Sequence, residues 1–289
     1  MRRLIIRPGA IGDVILSLPA LECLRAAYTE VWAASEVLPL IRCADRVGSI
    51  AATGLDLVGI PGVEPPQGVW ERLCRFDSIV SWYGTGRPEF REAVAKLPFV
   101  FFPALPPGGT THAADFFLAQ ARTLSECHVE AIPRIDCPRS PQNFAVIHPF
   151  SGSPKKNWPL AWFRELARQL QARMPVRWCA GPNENWTVST GAWRAETVHL
   201  ENLYELACWL ATARIYIGND SGITHLAAAA GVPVVAIFGP TDPRVWAPRG
   251  RTIRVVSPPA PGLPVESVTL PQVLRAVEEL LAISEGGPA

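Results

Sequence analysis

The stretch "IYIGNDSGITHLAAAAGVPVVAIFGPT", residues 215–241, decides the fold class. It opens with an apolar strand pattern over 214–217, turns at Gly218, continues as a small apolar helix over 221–230 and returns to an apolar strand over 232–238. Strand, helix and strand in this order, each apolar on more than one face, make a βαβ unit with parallel strands. Ser221 suits the helix N-cap and Gly231 its stop. The amides of Gly222, Ile223 and Thr224 then lie at the positive end of the helix, where an anion is favoured. Asp220 would duplicate Ser221 as a cap, and would repel a phosphate if it reached one. A carboxylate beside a phosphate site suits sugar hydroxyls instead. His225, on the first turn, either donates to a phosphate oxygen or packs as a neutral core histidine.

The same alternation runs through all 289 residues. Strand patterns fall at 2–7, 30–34, 55–60, 77–82, 99–102, 144–148, 176–180 and 197–200, with helical patterns at 13–27, 36–43, 88–96, 112–125, 159–173 and 202–212. A proline-rich break, "CPRSPQN" at 137–143, separates two such series. The expected architecture is α/β, with two Rossmann-like domains of parallel sheet, 1–140 and 141–268, and a C-terminal helix and tail over 269–289. Thr269 and Gln272 start that helix as a capping box. Ligands of open α/β sheets bind at the carboxyl ends of strands, so the site is expected there, facing a cleft between the domains.

Composition narrows the function. Apolar residues make up 48%, which excludes wholesale disorder, and a net charge of +1 lacks the field of a nucleic-acid binder. Seven cysteines occur without a C-x-x-C pair, and read as buried reduced thiols. Arg7, Pro8 and Asp13 interrupt the apolar N-terminal run, so it does not read as a signal peptide. No window reaches the roughly 18 apolar residues of a spanning helix. The expectation is a soluble cytoplasmic protein, with peripheral contact at the inner membrane left open.

Three further loops follow strand patterns. In "RPGAIGDVILSLPAL" (7–21), Gly9 and Gly12 allow a tight strand-to-helix turn, and Asp13 either caps the helix or stands exposed as a general base. In "HPFSGSPKKNWP" (148–159), Ser151, Gly152 and Ser153 offer hydroxyls and amides beside Lys155 and Lys156, ahead of a helix at Pro159. In "CAGPNENW" (179–186), Glu184 can accept from a ribose or base, or is a solvated loop carboxylate. None of these loops matches a P-loop or a dinucleotide fingerprint.

Taken together, these loops and "GNDSGITHLAAAAGVPVVAIFGPTDPRVWAP" resemble glycosyltransferase family 9, the ADP-heptose:lipopolysaccharide heptosyltransferases. The resemblance implies a GT-B fold and inverting transfer of heptose from a nucleotide-sugar donor to a saccharide or glycolipid acceptor. It implies no obligatory metal or other cofactor, while the charge balance already speaks against a nucleic-acid partner. It implies Asp13 as general base, Ser151 and Lys156 on the donor diphosphate and Glu184 on the adenosine. Asp220 would hold the sugar, with Ser221, Gly222 and His225 around the phosphates. The segment "SWYGTGR" (81–87) departs from the family's usual Asp-x-Gln and leaves the acceptor open. Two other readings stand beside this one: a GT-B enzyme for another nucleotide sugar, and a non-catalytic nucleotide-binding α/β protein.

Overall fold

The computed structural model describes residues 1–182, 184, 197–260 and 262–286. The chain divides into two compact units, Met1–Ala131 and Ile132–Ala289. The first unit carries β1 (Arg2–Ile6), α1 (Ile11–Cys23), β2 (Tyr28–Ala33), β3 (Arg46–Ser49), α2 (Gln67–Leu73), β4 (Ser78–Ser81), α3 (Pro88–Ala93), β5 (Phe99–Phe101) and α4 (Ala113–Arg122). Its sheet runs β3-β2-β1-β4-β5, with every pair parallel. The central β1 pairs on both edges, so Leu4, Ile5 and Ile6 are wholly buried. This is why its run is apolar on both faces rather than alternating.

The second unit carries β6 (Ala145–His148), α5 (Leu160–Gln171), β7 (Val176–Ala180), β8 (Thr197–His199), α6 (Leu203–Leu210), β9 (Ile215–Asn219), α7 (Gly222–Ala229), β10 (Val234–Ile237), α8 (Pro243–Trp246), β11 (Ile253–Val256) and α9 (Leu270–Gly286). Its parallel sheet runs β11-β10-β9-β6-β7-β8. The amphipathic helices α5 and α9 share one core with the sheet, in which Trp158, Phe163 and Leu166 meet Val273, Val277 and Leu280. Helix α9 continues through the first residues of the expected tail to Gly286, and 287–289 lie outside the described residues.

Four expectations need correction. The run 55–60 is not a strand: a 3₁₀ turn covers Leu55–Leu57, and the edge strand is Arg46–Ser49. Leu55 and Val58, three residues apart, are both wholly buried while Asp56 is exposed, which is a turn-like rather than a two-residue period. The helical pattern at 36–43 is a 3₁₀ segment, Ser35–Leu40, containing Pro39, which cannot donate to a continuing α-helix. The units part at 131/132 rather than at 140, because the segment after Ala131 is bonded into the second unit. There the Ile135 amide donates to Ala229 O at 2.9 Å, Tyr204 donates to Asp136 O at 3.0 Å and the Gln142 amide donates to Thr212 O at 2.7 Å. Finally, Cys23 and Cys127 form a disulfide, with Cα atoms 5.4 Å apart. Packing of α1 on α4 brings them together, and Arg3 Nη1 donates to both Leu24 O and Ser125 Oγ at 2.9 Å beside them. Among the described residues no helix is long and apolar enough to cross a membrane.

Candidate active site

The candidate residues sit at carboxyl ends of strands in each unit. In the first unit β1 leads into the turn before α1. Gly9 has φ +135°, and a Cβ there would stand 2.9 Å from Asp13 Cβ, so the turn needs glycine. Gly12 plays no such part, because it lies within the first turn of α1. Asp13 is not the N-cap either. Ala10 holds that place, and Asp13 Oδ2 reaches back to accept its amide at 3.1 Å. Asp13 is half-buried at the helix's positive end.

Beneath it lies Arg7, 2% exposed, whose guanidinium donates to Pro8 O at 2.6 Å, Asp13 O at 2.9 Å and Ser17 Oγ at 3.0 Å. Its charge lies 4.6 Å from the Phe117 ring centroid. Burial pulls the Arg7 pKa down to about 10, against the raising effect of the Asp13 charge, so it stays a cation at neutral pH. The three bonds fix both ends of the turn that presents Asp13.

In the second unit the ends of the adjacent strands β6 and β9 carry most of the polar groups. Ser221 caps α7, its Oγ accepting the Thr224 amide at 3.3 Å. The Thr224 amide is therefore taken, and the amides at the open helix start are those of Gly222 and Ile223. Asp220 does not cap: its Oδ2 accepts from Lys156 Nζ at 2.7 Å, while its own amide donates to Ile237 O at 2.9 Å. Lys155 is exposed. Ser151 Oγ lies 2.7 Å from Ser153 O and 2.7 Å from Asn157 Oδ1, closing the loop on itself. His225 is 6% exposed, buried in the first turn of α7.

Glu184 is not a solvated loop carboxylate. Its Oε2 lies 2.8 Å from His148 Nε2 and accepts the Gly181 amide at 2.6 Å. Burial pushes its pKa up, but the His148 ring, the Gly181 amide and His199 outweigh this and hold it below the ordinary value. Below the site Tyr216 is wholly buried, and burial, together with nearby Cys179, pushes its hydroxyl pKa up. Gly218 leaves the room this ring needs, since a Cβ there would stand 2.6 Å from Tyr216 Oη.

Two residues escaped the sequence reading. His148 ends β6 wholly buried, its Nδ1 3.4 Å from Ser221 Oγ. Asn219 ends β9 wholly buried; its Oδ1 accepts the Trp158 amide at 3.0 Å and its Nδ2 donates to Pro149 O at 2.9 Å. The signal that could have found both is a polar side chain closing an otherwise apolar strand, "AVIH" and "IYIGN".

The family model for glycosyltransferase family 9 (heptosyltransferase) matches residues 87–266. The chain belongs to glycosyltransferase family 9. The match contains Ser151, Lys156, Glu184, Asp220, Ser221, Gly222 and His225, and leaves Gly9, Gly12 and Asp13 outside it. Over 102 residues the chain is 34% identical to lipopolysaccharide heptosyltransferase 1 of Pseudomonas aeruginosa, covering 34% of this chain and 29% of that protein. Over 147 residues it is 29% identical to lipopolysaccharide heptosyltransferase 1 of Escherichia coli, covering 49% and 44%. The matched segments thus span less than half of these curated relatives.

The solved E. coli ADP-heptose LPS heptosyltransferase II superposes with a TM-score of 0.73 at 19% identity, covering 99% of this chain and 100% of that one. E. coli heptosyltransferase WaaC with ADP gives 0.71 at 19%, covering 96% and 99%. These likenesses establish the GT-B fold of this family 9 protein.

Proposed function

We propose that the protein is an inverting heptosyltransferase that moves heptose from ADP-heptose to a lipopolysaccharide-core or related saccharide acceptor. The observation that carries the reading is the Lys156–Asp220 pair, an ammonium and a carboxylate 2.7 Å apart beside the Ser221-capped start of α7. That combination suits a donor in which a diphosphate adjoins a sugar. Lys156, Ser151, His225 and the Gly222 amide take the phosphate oxygens, Asp220 accepts from a sugar hydroxyl, and Glu184 accepts from the nucleoside. In the reaction the acceptor oxygen attacks the anomeric carbon, Asp13 takes the hydroxyl proton, and the bond from that carbon to the diphosphate oxygen breaks with inversion. The negative charge gathering on the departing ADP is met by Lys156 and the helix start, without a requirement for a metal or other cofactor. The solved relative with ADP and the curated relatives' heptosyltransferase names support this choice of donor.

Calorimetry with ADP and ADP-heptose, followed by a transfer assay on heptose-free lipopolysaccharide core, tests the reading. ADP-heptose should bind and be consumed, and Asp13→Asn should abolish most turnover while leaving the ADP Kd nearly unchanged. Tighter binding of UDP or GDP than of ADP would reassign the donor. Binding without transfer or hydrolysis would make the protein a nucleotide-binding module. Full turnover in the Asp13→Asn variant would remove Asp13 from the role of base.

A further inference from the structure

We propose that His148 is a positioning residue that pins the nucleoside-side carboxylate Glu184 through Nε2, from a buried ring whose other nitrogen faces Ser221 at the phosphate-side helix start. The proposal rests on the donor reading above. The ring has no freedom to serve elsewhere. It is wholly buried at the end of β6, stacked over Tyr216 at 6.3 Å between centroids and 27° between planes, and edge-on to Phe150 at 5.9 Å and 71°. Its two nitrogens face different loops. Nε2 meets Glu184 at 2.8 Å and Nδ1 faces Ser221 at 3.4 Å.

Proton bookkeeping fixes the roles. Glu184 accepts, so Nε2 carries the proton. The Thr224 hydroxyl donates to Asn219 O, so Thr224 Oγ1 accepts from the Tyr216 hydroxyl, 3.1 Å away. The Ser221 hydroxyl then has two acceptors, Thr224 Oγ1 at 3.1 Å and His148 Nδ1 at 3.4 Å. In the neutral ring Nδ1 accepts from Ser221. In the imidazolium it donates to Ser221, whose proton turns to Thr224. The bridge survives either charge state.

Glu184 shows what the tie is for. The His148 and Gly181 bonds both fall on Oε2. The carboxylate is therefore held through Oε2, and in the proposed site Oε1 is the oxygen offered to a nucleoside hydroxyl. Pinning an acceptor before the ligand arrives lowers the ordering cost of binding.

Asparagine and glutamine split the ring's two functions. The Asn amide can reach the Nδ1 position but not Glu184, and the Gln amide can reach the Nε2 position but not Ser221. The test is calorimetry of the full chain with ADP and with inorganic pyrophosphate for wild type, His148→Asn, His148→Gln, Glu184→Ala and His148→Asn/Glu184→Ala. His148→Asn should weaken ADP about tenfold, the order of one charge-assisted hydrogen bond, with little effect on pyrophosphate. His148→Gln should stay within about threefold for ADP, and His148→Asn should add almost nothing once Glu184 is Ala. Equal loss in the Asn and Gln variants, or an undiminished loss in the Glu184→Ala background, would show plain structural damage and overturn the proposal. Wild-type protein that binds ADP alongside a His148→Asn variant that binds it equally well overturns the proposal alone. Wild-type protein that binds no ADP overturns the donor reading and the proposal with it.

Discussion

Replacing Lys156 with alanine should destabilise the ends of β6 and β9 by about 2 kcal/mol, whatever it does to donor binding. The ammonium lies 2.7 Å from Asp220 Oδ2, with 32% of the Lys156 side chain and 6% of the Asp220 side chain exposed. At that separation the attraction is about 1.5 kcal/mol in bulk water and about 6 kcal/mol at an effective dielectric near 20. Fully exposed pairs contribute about 0–1 kcal/mol, whereas stranding one charge of a buried pair costs about 3–5 kcal/mol. Here one partner is buried and the other reaches solvent, so the cost falls between these limits. Asp220 cannot swing out cheaply, because its amide is bonded to Ile237 O. Native-state hydrogen exchange at the β6 and β9 amides reads the local stability. Lys156→Ala should lower their protection by the stated amount, and adding Asp220→Asn should restore about half of it, since a neutral amide leaves no stranded charge. Unchanged protection in Lys156→Ala, or purely additive losses in the double variant, would refute the reasoning. Loss of ADP affinity is a separate readout and does not substitute for it.

Gly9→Ala should reduce transfer at least as strongly as it reduces stability, by about 1–3 kcal/mol in thermal unfolding, because its Cβ would displace Asp13 and its φ disfavours a side chain. Alkylation of denatured, non-reduced protein should label five cysteines, and alkylation after reduction all seven; seven without reduction would remove the Cys23–Cys127 bond. Glu184 has a folded pKa below its unfolded value of about 4.3, so its contribution to stability is fully present above that pH and is lost as pH falls through the folded value. Acid denaturation of Glu184→Gln should lack this component, and an identical acid limb in both proteins would contradict it.

What the sequence revealed follows from the range of the forces involved. Ser221 and Gly231 were readable because caps and stops are local chemistry, whereas the bond between Lys156 and Asp220 spans 64 residues and lies beyond any local window. The core strands were readable because burial on both faces leaves no polar period. The run 55–60 misled for the same reason: apolar residues alone do not distinguish a strand from a turn packed inward. His148 and Ser221 are 73 residues apart, and meet only because β6 lies beside β9 in the sheet. Strand order is a long-range property that no local window contains. The Cys23–Cys127 bond, spanning 104 residues, has the same origin in the packing of α1 on α4.

The loop over 148–158 shows how these long-range contacts bear on function. Its basic residues are exposed or half-exposed, but its shape is set from below. Asn219 holds it at Pro149 and Trp158, and Trp158 Nε1 donates to Val268 O at 2.8 Å within the core shared with α9. Ser151 closes the interior of the loop on Asn157 and Ser153. A loop built this way has already lost most of its backbone entropy in folding, and under the proposed function a phosphate bound there would not have to supply it again. In the proposed donor site the Lys156–Asp220 pair keeps the ammonium and the carboxylate oriented, so that a diphosphate next to a sugar hydroxyl would meet both charges already in place. Under the proposed function the polar residues that close the two central strands are the frame, and the residues at the rim are the contacts. On that reading the frame residues, His148 and Asn219, are buried and bonded on two sides each, while Lys156, the proposed phosphate contact, remains a third exposed.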